Sequence, residues 1–150
     1  MNDAAKRLCE ELDLSPHPEG GWYRETWRAD APDGGRAAGT AIHFLLAAGD
    51  RSHWHRVDAA ELWFWHCGDP LALHIADTPD GGDPPWRTVR LGGDVTGGEA
   101  PQALVPPDHW QAAEPVDGAA GYTLVSCAVV PGFDFAGFTL APPDWTPAIR

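Results

Sequence analysis

The chain contains few basic residues. Of its 150 residues, 10 are Lys or Arg and 22 are Asp or Glu, so the formal net charge at pH 7 is −12. Lys6 is the single lysine, and the remaining basic residues, all Arg, are scattered along the sequence. Proteins that bind nucleic acids or anionic membranes need clustered Lys and Arg side chains to contact the phosphates. The composition therefore excludes both kinds of partner, and solubility is the simplest reason for the acidity.

Cysteine is also scarce. Cys9, Cys67 and Cys127 are the only three, they lie far apart, and no CxxC spacing occurs. An odd number of isolated cysteines argues against a disulfide framework and against a thiolate zinc site. We therefore expect each thiol to be buried and chemically inert.

Long apolar stretches are missing too. No segment reaches the roughly 20 consecutive apolar residues that a membrane-spanning helix needs. The N-terminal residues Met1 to Asp3 lack the basic start and the apolar run of a secretion signal. These observations predict a cytoplasmic protein with no membrane partner.

Turn-forming and aromatic residues are abundant by contrast. The chain has 17 Gly, 15 Pro and 8 Trp. Frequent turns combined with large aromatic side chains are typical of a barrel or sandwich of short strands with a wide interior. The expected fold class is therefore all-β, and a length of 150 residues fits one domain with a substantial core.

One helix and a series of short strands are predicted. The helix runs from Asp3 to Leu12, where apolar residues are spaced i, i+4, and Asn2 or Asp3 serves as its N-cap. The segment 15–21, rich in Pro and Gly, is expected to lack regular structure, and the tail 141–150 is expected to be extended. Strands are expected at residues 22–27, 39–47, 61–67, 71–75, 86–91, 103–105, 109–113 and 122–130, and loops at 78–85 and 92–98.

The segment from Gly49 to Glu61 concentrates the residues that carry chemistry. In an extended chain, residues two apart point to the same face, so His53 and His55 are expected to face one point in space. Glu61 begins the next strand after a short turn. Two imidazoles and one carboxylate are the ligands of many Fe, Mn, Ni and Zn sites, and the same groups serve as general acid and base without a metal. Both alternatives stay open, and an exposed His53 on a turn is a third.

This segment resembles the first cupin motif, whose pattern is G-x5-H-x-H-x3-4-E-x6-G. The chain has His53-x-His55-x5-Glu61-x6-Gly68, so the Glu-to-Gly half matches while the gap between His and Glu is longer. The second cupin motif is weaker, because Gln111 stands where that motif has a metal-binding His.

Further runs make the chain similar to a small cupin subfamily of the Cupin_5 type. The two most specific are Pro16-His17-Pro18-Glu19-Gly20-Gly21-Trp22-Tyr23-Arg24-Glu25-Thr26 and Val130-Pro131-Gly132-Phe133-Asp134-Phe135. The resemblance spans about residues 8–140. It implies a jelly-roll barrel, the cupin double-stranded β-helix, preceded by a short helix, and it implies a homodimer. It implies no particular reaction.

The subfamily pattern makes His55, Glu61 and Gln111 the constant groups of the pocket and leaves the position of His53 free. His55 and Glu61 are the predicted catalytic residues, as an acid/base pair among aromatic side chains that shift their pKa values. A divalent ion (Fe, Mn, Ni or Zn) is a hypothesis that requires His53 to turn inward, since the amide oxygen of Gln111 is a weak ligand for a transition metal. Its ligands would be His53, His55, Glu61 and Gln111.

Other residues are candidates for contact with a small-molecule ligand. Glu19 and Arg24 lie in or beside the Pro/Gly loop, where a structural role is an equal alternative. Trp63 is a candidate for stacking on a ligand and equally for filling the core. The complete predicted set is Glu19, Tyr23, Arg24, His43, Ser52, Trp63, Trp65 and Gln111.

Three classes of function are compatible with such a pocket. The favoured hypothesis is an enzyme acting on a small polar substrate, either a carbohydrate or a hydroxy or keto acid. Its reaction would be isomerase- or epimerase-like, or assisted by a metal. The alternatives are a ligand-binding or sensor protein without chemistry, and a storage or interaction protein. Titratable groups inside an aromatic barrel cost stability unless they are paired or used, which favours the first two classes.

Overall fold

The computed structural model describes residues 1–77 and 83–147. In this part of the chain, the helix α1 (Asp3–Glu11) precedes eleven strands, which confirms the all-β expectation with a short N-terminal helix. Most of the predicted loop 78–85 and the end of the predicted tail lie outside the described residues. The strands are β1 (Ser15–Pro16), β2 (Trp22–Arg28), β3 (Thr40–Ala47), β4 (Ser52–Val57), β5 (Ala60–Gly68), β6 (Leu71–Ala76), β7 (Arg87–Leu91), β8 (Gln102–Val105), β9 (Trp110–Pro115), β10 (Tyr122–Val130) and β11 (Phe138–Leu140).

Two antiparallel sheets form the body of the described chain. The larger sheet has the strand order β1-β2-β3-β10-β5-β8, and the smaller one has the order β11-β4-β9-β6-β7. Side chains from both sheets pack between them, with Phe44 and Trp63 from the larger sheet. Leu71, Leu73 and Ile75 come from the smaller sheet. This arrangement is that of a jelly roll.

Strand β6 shows how the sequence positions the core. Leu71, Leu73 and Ile75 are at most 1% exposed, whereas the alternating residues Ala72 and His74 are partly exposed. Alternation with a period of two places one side of a strand in the core. Burial of each such side chain stabilises the fold by about 2 kcal/mol. The predicted strand is therefore confirmed.

Helix α1 begins and ends close to its predicted bounds. The side chain of Asn2 accepts a hydrogen bond from the backbone N–H of Ala5 at 2.9 Å, so Asn2 is the N-cap. Ala5 and Cys9 pack on Leu45 and Leu124, which places the helix on the outer face of the larger sheet. No helix among the described residues is long and apolar enough to cross a membrane.

The His-Pro-Glu-Gly-Gly loop is pressed against the start of β4. Gly20 and Gly21 have φ angles of +108° and +78°, a region that residues with a Cβ rarely adopt. A Cβ atom added to Gly20 would overlap the carbonyl oxygen of Arg51. The backbone N–H of His53 donates to the carbonyl oxygen of Glu19 at 2.8 Å. Because the loop lies this close to β4, the side chain of Glu19 points into the interior.

The predicted absence of regular structure in segment 15–21 is only partly right. Ser15 and Pro16 form the two-residue strand β1, which pairs with Tyr23 and Trp22 of β2. β1 is an edge strand. A proline is tolerated there because its missing N–H would otherwise face solvent.

Strand β4 contains the irregularity that decides which side chains enter the interior. Between Ser52 and His55, three residue steps on β4 match two steps on β9. This is a β-bulge, and it shifts the alternation of side chains by one residue. Ser52 and His55 therefore face inward, whereas Nε2 of His53 lies 2.8 Å from the carbonyl oxygen of Pro142. The expectation that His53 and His55 face one point is wrong for this reason.

Replacing Gly20 by Ala is expected to lower the free energy of unfolding by about 2 kcal/mol or more, because it adds backbone strain and steric overlap with Arg51. Gly98→Ala is the matched control, since Gly98 has a φ of +98° and an added Cβ meets nothing within 4 Å. The Gly98→Ala variant therefore adds backbone strain without steric overlap. Urea denaturation of both variants measures the difference, and equal losses would contradict the close approach of the loop to β4.

Candidate functional site

A small cavity lies between the two sheets, where the Glu19 loop meets β4 and β5. Its walls combine titratable side chains with apolar ones. The space open to the centre of a water-sized molecule is about 30 Å³, which is room for roughly two waters. The lining residues are His17, Glu19, Thr40, Ile42, His55, Val57, Glu61, Cys127, Val129 and Phe133.

Glu19 is the residue that the loop delivers to this cavity, and it is 8% exposed. The hydroxyl of Ser52 donates to Oε1 of Glu19 at 2.9 Å, and Oε2 lies 3.2 Å from Nε2 of His55. Burial raises the pKa of Glu19 to about 8, against a smaller lowering effect of the Ser52 hydrogen bond. This carboxyl group is therefore largely protonated near neutral pH.

The hydrogen bonds of His55 fix the position of its proton. Nδ1 lies 2.7 Å from the backbone carbonyl oxygen of His53. Because a carbonyl only accepts, Nδ1 carries a proton. Burial lowers the pKa of His55, with the nearby Glu61 acting in the opposite direction, so the neutral ring is favoured and Nε2 is an acceptor. The protonated carboxyl group of Glu19 therefore lies beside an unprotonated Nε2 of His55, with Oε2 and Nε2 3.2 Å apart.

Glu61 is held by a second chain of hydrogen bonds. The indole N–H of Trp63 donates to Oε1 of Gln111 at 2.8 Å, and this turns the amide so that its Nε2 donates to Oε1 of Glu61, also at 2.8 Å. The thiol of Cys127 donates to the same carboxyl group. Gln111 therefore orients Glu61, and Trp63 orients Gln111. At 1% exposure, Trp63 has no free face on which a ligand can stack.

Burial raises the pKa of Glu61 to about 7. The proximity of His55 and the hydrogen bonds from Gln111 and Cys127 work against the rise, while the carboxyl group of Glu19 adds to it. The cavity thus holds two carboxyl groups that ionise near neutral pH beside an imidazole. Groups of this kind take up and release protons at physiological pH.

His17 lines the cavity although it is not among the predicted site residues. Its Nδ1 accepts a hydrogen bond from the backbone N–H of Glu19 at 3.1 Å. Burial lowers the pKa of His17 to about 4, so the ring stays neutral and remains an acceptor. His17 therefore supports the loop that carries Glu19. The sequence feature that indicates this role is its position two residues before Glu19 in the same loop.

Cys127 is the second lining residue outside the predicted set. It lies on β10 opposite Trp63 of β5, and burial raises the pKa of its thiol. The alternation of Val125, Cys127 and Val129 on β10 predicts that all three point inward. The three cysteines of the chain are free, as expected, but Cys67 is only half-buried.

Several predicted ligand-contact residues lie away from the cavity. Arg24 donates from Nε to a backbone carbonyl at the end of α1, and His43 contacts Ser126 on the outer face of the larger sheet. Trp65 donates to a backbone carbonyl in the turn after β5, and Tyr23 lines a separate surface groove. The predicted residues that the structure brings together are Glu19, Ser52, His55, Glu61, Trp63 and Gln111.

The family model described as the cupin superfamily, Cupin_5 (DUF985), matches residues 6–141. The chain belongs to this family. The match confirms the family that the sequence motifs indicate, and it covers all the residues of the cavity. No curated protein matches this cupin significantly.

Two solved structures resemble this cupin over nearly its whole length. A hypothetical protein from Leishmania major is 39% identical with a TM-score of 0.78, over 91% of this chain and 86% of that one. A protein from Shewanella oneidensis is 37% identical with a TM-score of 0.82, over 94% of this chain and 85% of that one. Neither name states an activity.

Oxalate decarboxylase from Bacillus subtilis shares the fold. A variant of this enzyme gives a TM-score of 0.61 at 13% identity, over 86% of this chain and 30% of that one. Such low identity shows the fold alone. The enzyme has Mn(II) centres, so the cupin fold raises the question of a metal in the present cavity.

The residues of this cavity do not fit a cupin metal site. His53 points away from the cavity, to the carbonyl of Pro142. Gln111 accepts from Trp63 with its amide oxygen and presents its N–H to Glu61, and it is not among the residues that line the cavity. Among residues 1–77 and 83–147, no three His, Cys, Asp or Glu side chains are arranged to hold a metal ion. The predicted four-residue ligand set is therefore not assembled.

The pKa shifts predict how stability depends on pH. Glu19 and Glu61 have raised pKa values, so their contribution is complete below about pH 4.5 and is lost as pH rises through about 7 and 8. His17 and His55 have lowered pKa values, so their contribution increases up to about pH 6.5 and then stays constant. The two effects oppose each other below pH 6.5. Between pH 6.5 and pH 8, we expect the free energy of unfolding to fall by about 2 kcal/mol.

Urea denaturation at a series of pH values above 6.5 measures this fall. Glu19→Gln and Glu61→Gln are each expected to lose part of the slope, because a Gln side chain is neutral at every pH. Glu10→Gln, on the exposed side of α1, is the matched control and should keep the whole slope. An unchanged slope in both cavity variants would contradict the protonated state of the buried carboxyl groups.

Proposed function

We propose that this cupin is an enzyme that moves a proton on a small polar molecule, in an isomerase- or epimerase-like reaction. The observation that carries the proposal is the enclosed cavity onto which Glu61 and the Glu19–His55 pair open together. Buried titratable groups cost folding stability unless they are paired or used. Three of them around one cavity, two with pKa values near neutrality, suit general acid–base catalysis.

The two carboxyl groups have different roles in this proposal. Glu61 has a pKa of about 7, so it is partly ionised near neutral pH and accepts a proton from the substrate. Glu19, whose protonated carboxyl group lies 3.2 Å from Nε2 of His55, supplies a proton to the substrate at another position. One group removes a proton and the other supplies one, so the substrate is rearranged without gain or loss of atoms. Gln111 acts as a positioning residue because it touches Glu61 and does not line the cavity.

The size of the cavity restricts the part of the substrate that reacts there. The space of about 30 Å³ admits a group such as a carbonyl with its neighbouring carbon, and carbohydrates and hydroxy or keto acids all carry such a group. None of the lining residues is Lys or Arg. A carboxylate inside the cavity would therefore have no cationic partner apart from the histidines, which favours a neutral carbonyl or hydroxyl group at this point.

The alternative functions that the sequence leaves open would use the same cavity. A metal-assisted reaction would require Gln111 to release Trp63 and His53 to leave Pro142, and the hydrogen bonds of both residues oppose this. A ligand-binding or sensor protein would bind the same molecule without turnover. The homodimer and the cytoplasmic location stay predictions.

Exchange of carbon-bound hydrogen tests the proposal without a known product. In D₂O, the wild-type protein is expected to introduce deuterium next to the carbonyl of at least one member of a panel of aldoses, ketoses, hydroxy acids and keto acids, followed by NMR. Glu61→Gln is expected to lower the exchange rate by about 100-fold or more, since it removes the base. The variant keeps an oxygen that accepts from Gln111, so the fold around the site is preserved.

Matched controls separate the alternatives. Glu10→Gln is expected to exchange at the wild-type rate, and dialysis against a chelator is expected to leave the rate unchanged. Loss of exchange on chelation, restored by Fe, Mn, Ni or Zn, would support the metal-assisted alternative. Ligand-induced NMR shifts without any exchange would support the binding alternative, and full exchange by Glu61→Gln would exclude Glu61 as the base.

A further inference from the structure

Phe133 separates the cavity from a groove on the protein surface. We call this groove, which is more open to solvent than the cavity, the outer groove. Its six lining residues are Tyr23, Glu25, Arg28, Phe133, Asp134 and Phe135. Of these, only Phe133 also lines the cavity. Its side chain packs with Val57 and Val129, which line the cavity, and contacts Phe135, which lines the outer groove, so it lies between the two spaces.

The two spaces differ in size by about an order of magnitude. The cavity leaves about 30 Å³ for the centre of a water-sized molecule, and the outer groove leaves about 360 Å³ by the same measure. The outer groove is large enough for a small-molecule ligand, whereas the cavity admits only one end of such a molecule.

The backbone of Phe133 is held in place by two hydrogen bonds, and its ring is packed among apolar side chains. The N–H of Phe133 donates to Oγ1 of Thr40 at 2.9 Å, and its carbonyl accepts from Nη2 of Arg28 at 3.1 Å. The side chain packs against the buried cluster of Val57, Ala59 and Val129, and its ring meets Phe135 and Phe138 in edge-to-face contacts, with centroids 4.9 and 5.6 Å apart. Because the backbone is fixed, movement of Phe133 would be a rotation of its side chain, and the residue is partly exposed on one side.

We propose that the outer groove binds the body of the substrate and that Phe133 is the gate through which the reacting end enters the cavity. The inference rests on the proposed function, because it takes the cavity as the place of proton transfer. It deepens that function by assigning a second binding region and a ligand class.

The chemistry of the outer groove indicates a neutral ligand with many hydroxyl groups, a sugar or a linear polyol. The carboxylates of Glu25 and Asp134 accept hydrogen bonds from hydroxyl donors. Arg28 is the basic residue of the groove, and it already donates to Glu25 at 2.6 Å and to a loop carbonyl. The net charge of −12 further disfavours an anion. The ring of Tyr23 offers an apolar surface to the C–H groups of such a ligand.

Cys127 is a natural reporter of passage through the gate. Its thiol lines the cavity, whereas Cys9 is buried in a separate cluster under α1. Reaction with methyl methanethiosulfonate, followed by peptide mass spectrometry, measures the labelling rate of each cysteine. Phe133→Ala is expected to raise the rate at Cys127 by about tenfold or more, because the reagent no longer waits for a local opening. The rate at Cys9 is expected to stay the same.

Two further variants keep the test decisive. Val95→Ala, the control, removes an exposed apolar side chain that lines neither the cavity nor the outer groove, and it is expected to label Cys127 at the wild-type rate. If Phe133→Ala accelerates Cys127 and Cys9 equally, the fold has loosened, and Phe133→Leu, which preserves more of the packing, then decides. Acceleration of Cys127 alone in Phe133→Leu supports the gate. Unchanged labelling of Cys127 relative to Cys9 in both Phe133 variants would overturn it.

The ligand class is tested in the same assay with the wild-type protein. Xylitol or glucose at high millimolar concentration is expected to slow the labelling of Cys127 by occupying the outer groove, and malonate is expected to have no effect. Protection by malonate alone, or by none of the three, would overturn the assignment to a neutral polyhydroxylated ligand. Labelling needs no turnover and deuterium exchange does, so failure of the gate and failure of the proton-transfer proposal are distinguishable.

Discussion

The contact between the buried carboxyl group of Glu19 and His55 is the interaction on which the rest of the site depends. It exists because two glycines with positive φ let the loop lie against β4, where a side chain at Gly20 would overlap the backbone of Arg51. The bulge in β4 completes the arrangement by turning His55 inward. Without the loop, His55 would lose the partner of its Nε2 atom, and Glu61 would lose the neighbour that helps to raise its pKa.

The buried polar cluster of Glu19, His55 and Glu61 lowers the stability of the fold, and it places groups that ionise near neutral pH around one cavity. A jelly roll of this size gains its stability from apolar contacts between the sheets, and each buried carboxyl group subtracts from that gain unless it is protonated or bonded. Both protonation and hydrogen bonding occur in this cavity. Burial keeps Glu19 protonated beside His55, and Glu61 receives a hydrogen bond from Gln111. Gln111 is in turn held by Trp63, so both ends of its amide are hydrogen-bonded.

Much of the fold follows from local patterns in the sequence, while the site depends on geometry that those patterns do not contain. The alternation in β6 and the cap at Asn2 are local, and both elements form as expected. The same rule of alternation fails at His53, because a bulge depends on the pairing of β4 with a strand distant in the sequence. Phe133 is a second residue whose position in the fold the sequence pattern does not predict. Its motif marks the family, but only the folded chain shows that this residue lines both the cavity and the outer groove.

A titration of the two buried carboxyl groups tests the central claim most directly. Carboxyl carbons of protein labelled with ¹³C-glutamate are followed by NMR from acid to alkaline pH, and Glu19→Gln and Glu61→Gln assign the two resonances. We expect both to titrate near neutrality, with midpoints of about 7 for Glu61 and about 8 for Glu19. Midpoints near the ordinary value of about 4.5 for both groups would show two ionised carboxylates at neutral pH. That result would contradict the raised pKa values of the two carboxyl groups and the proposed acid–base function built on them.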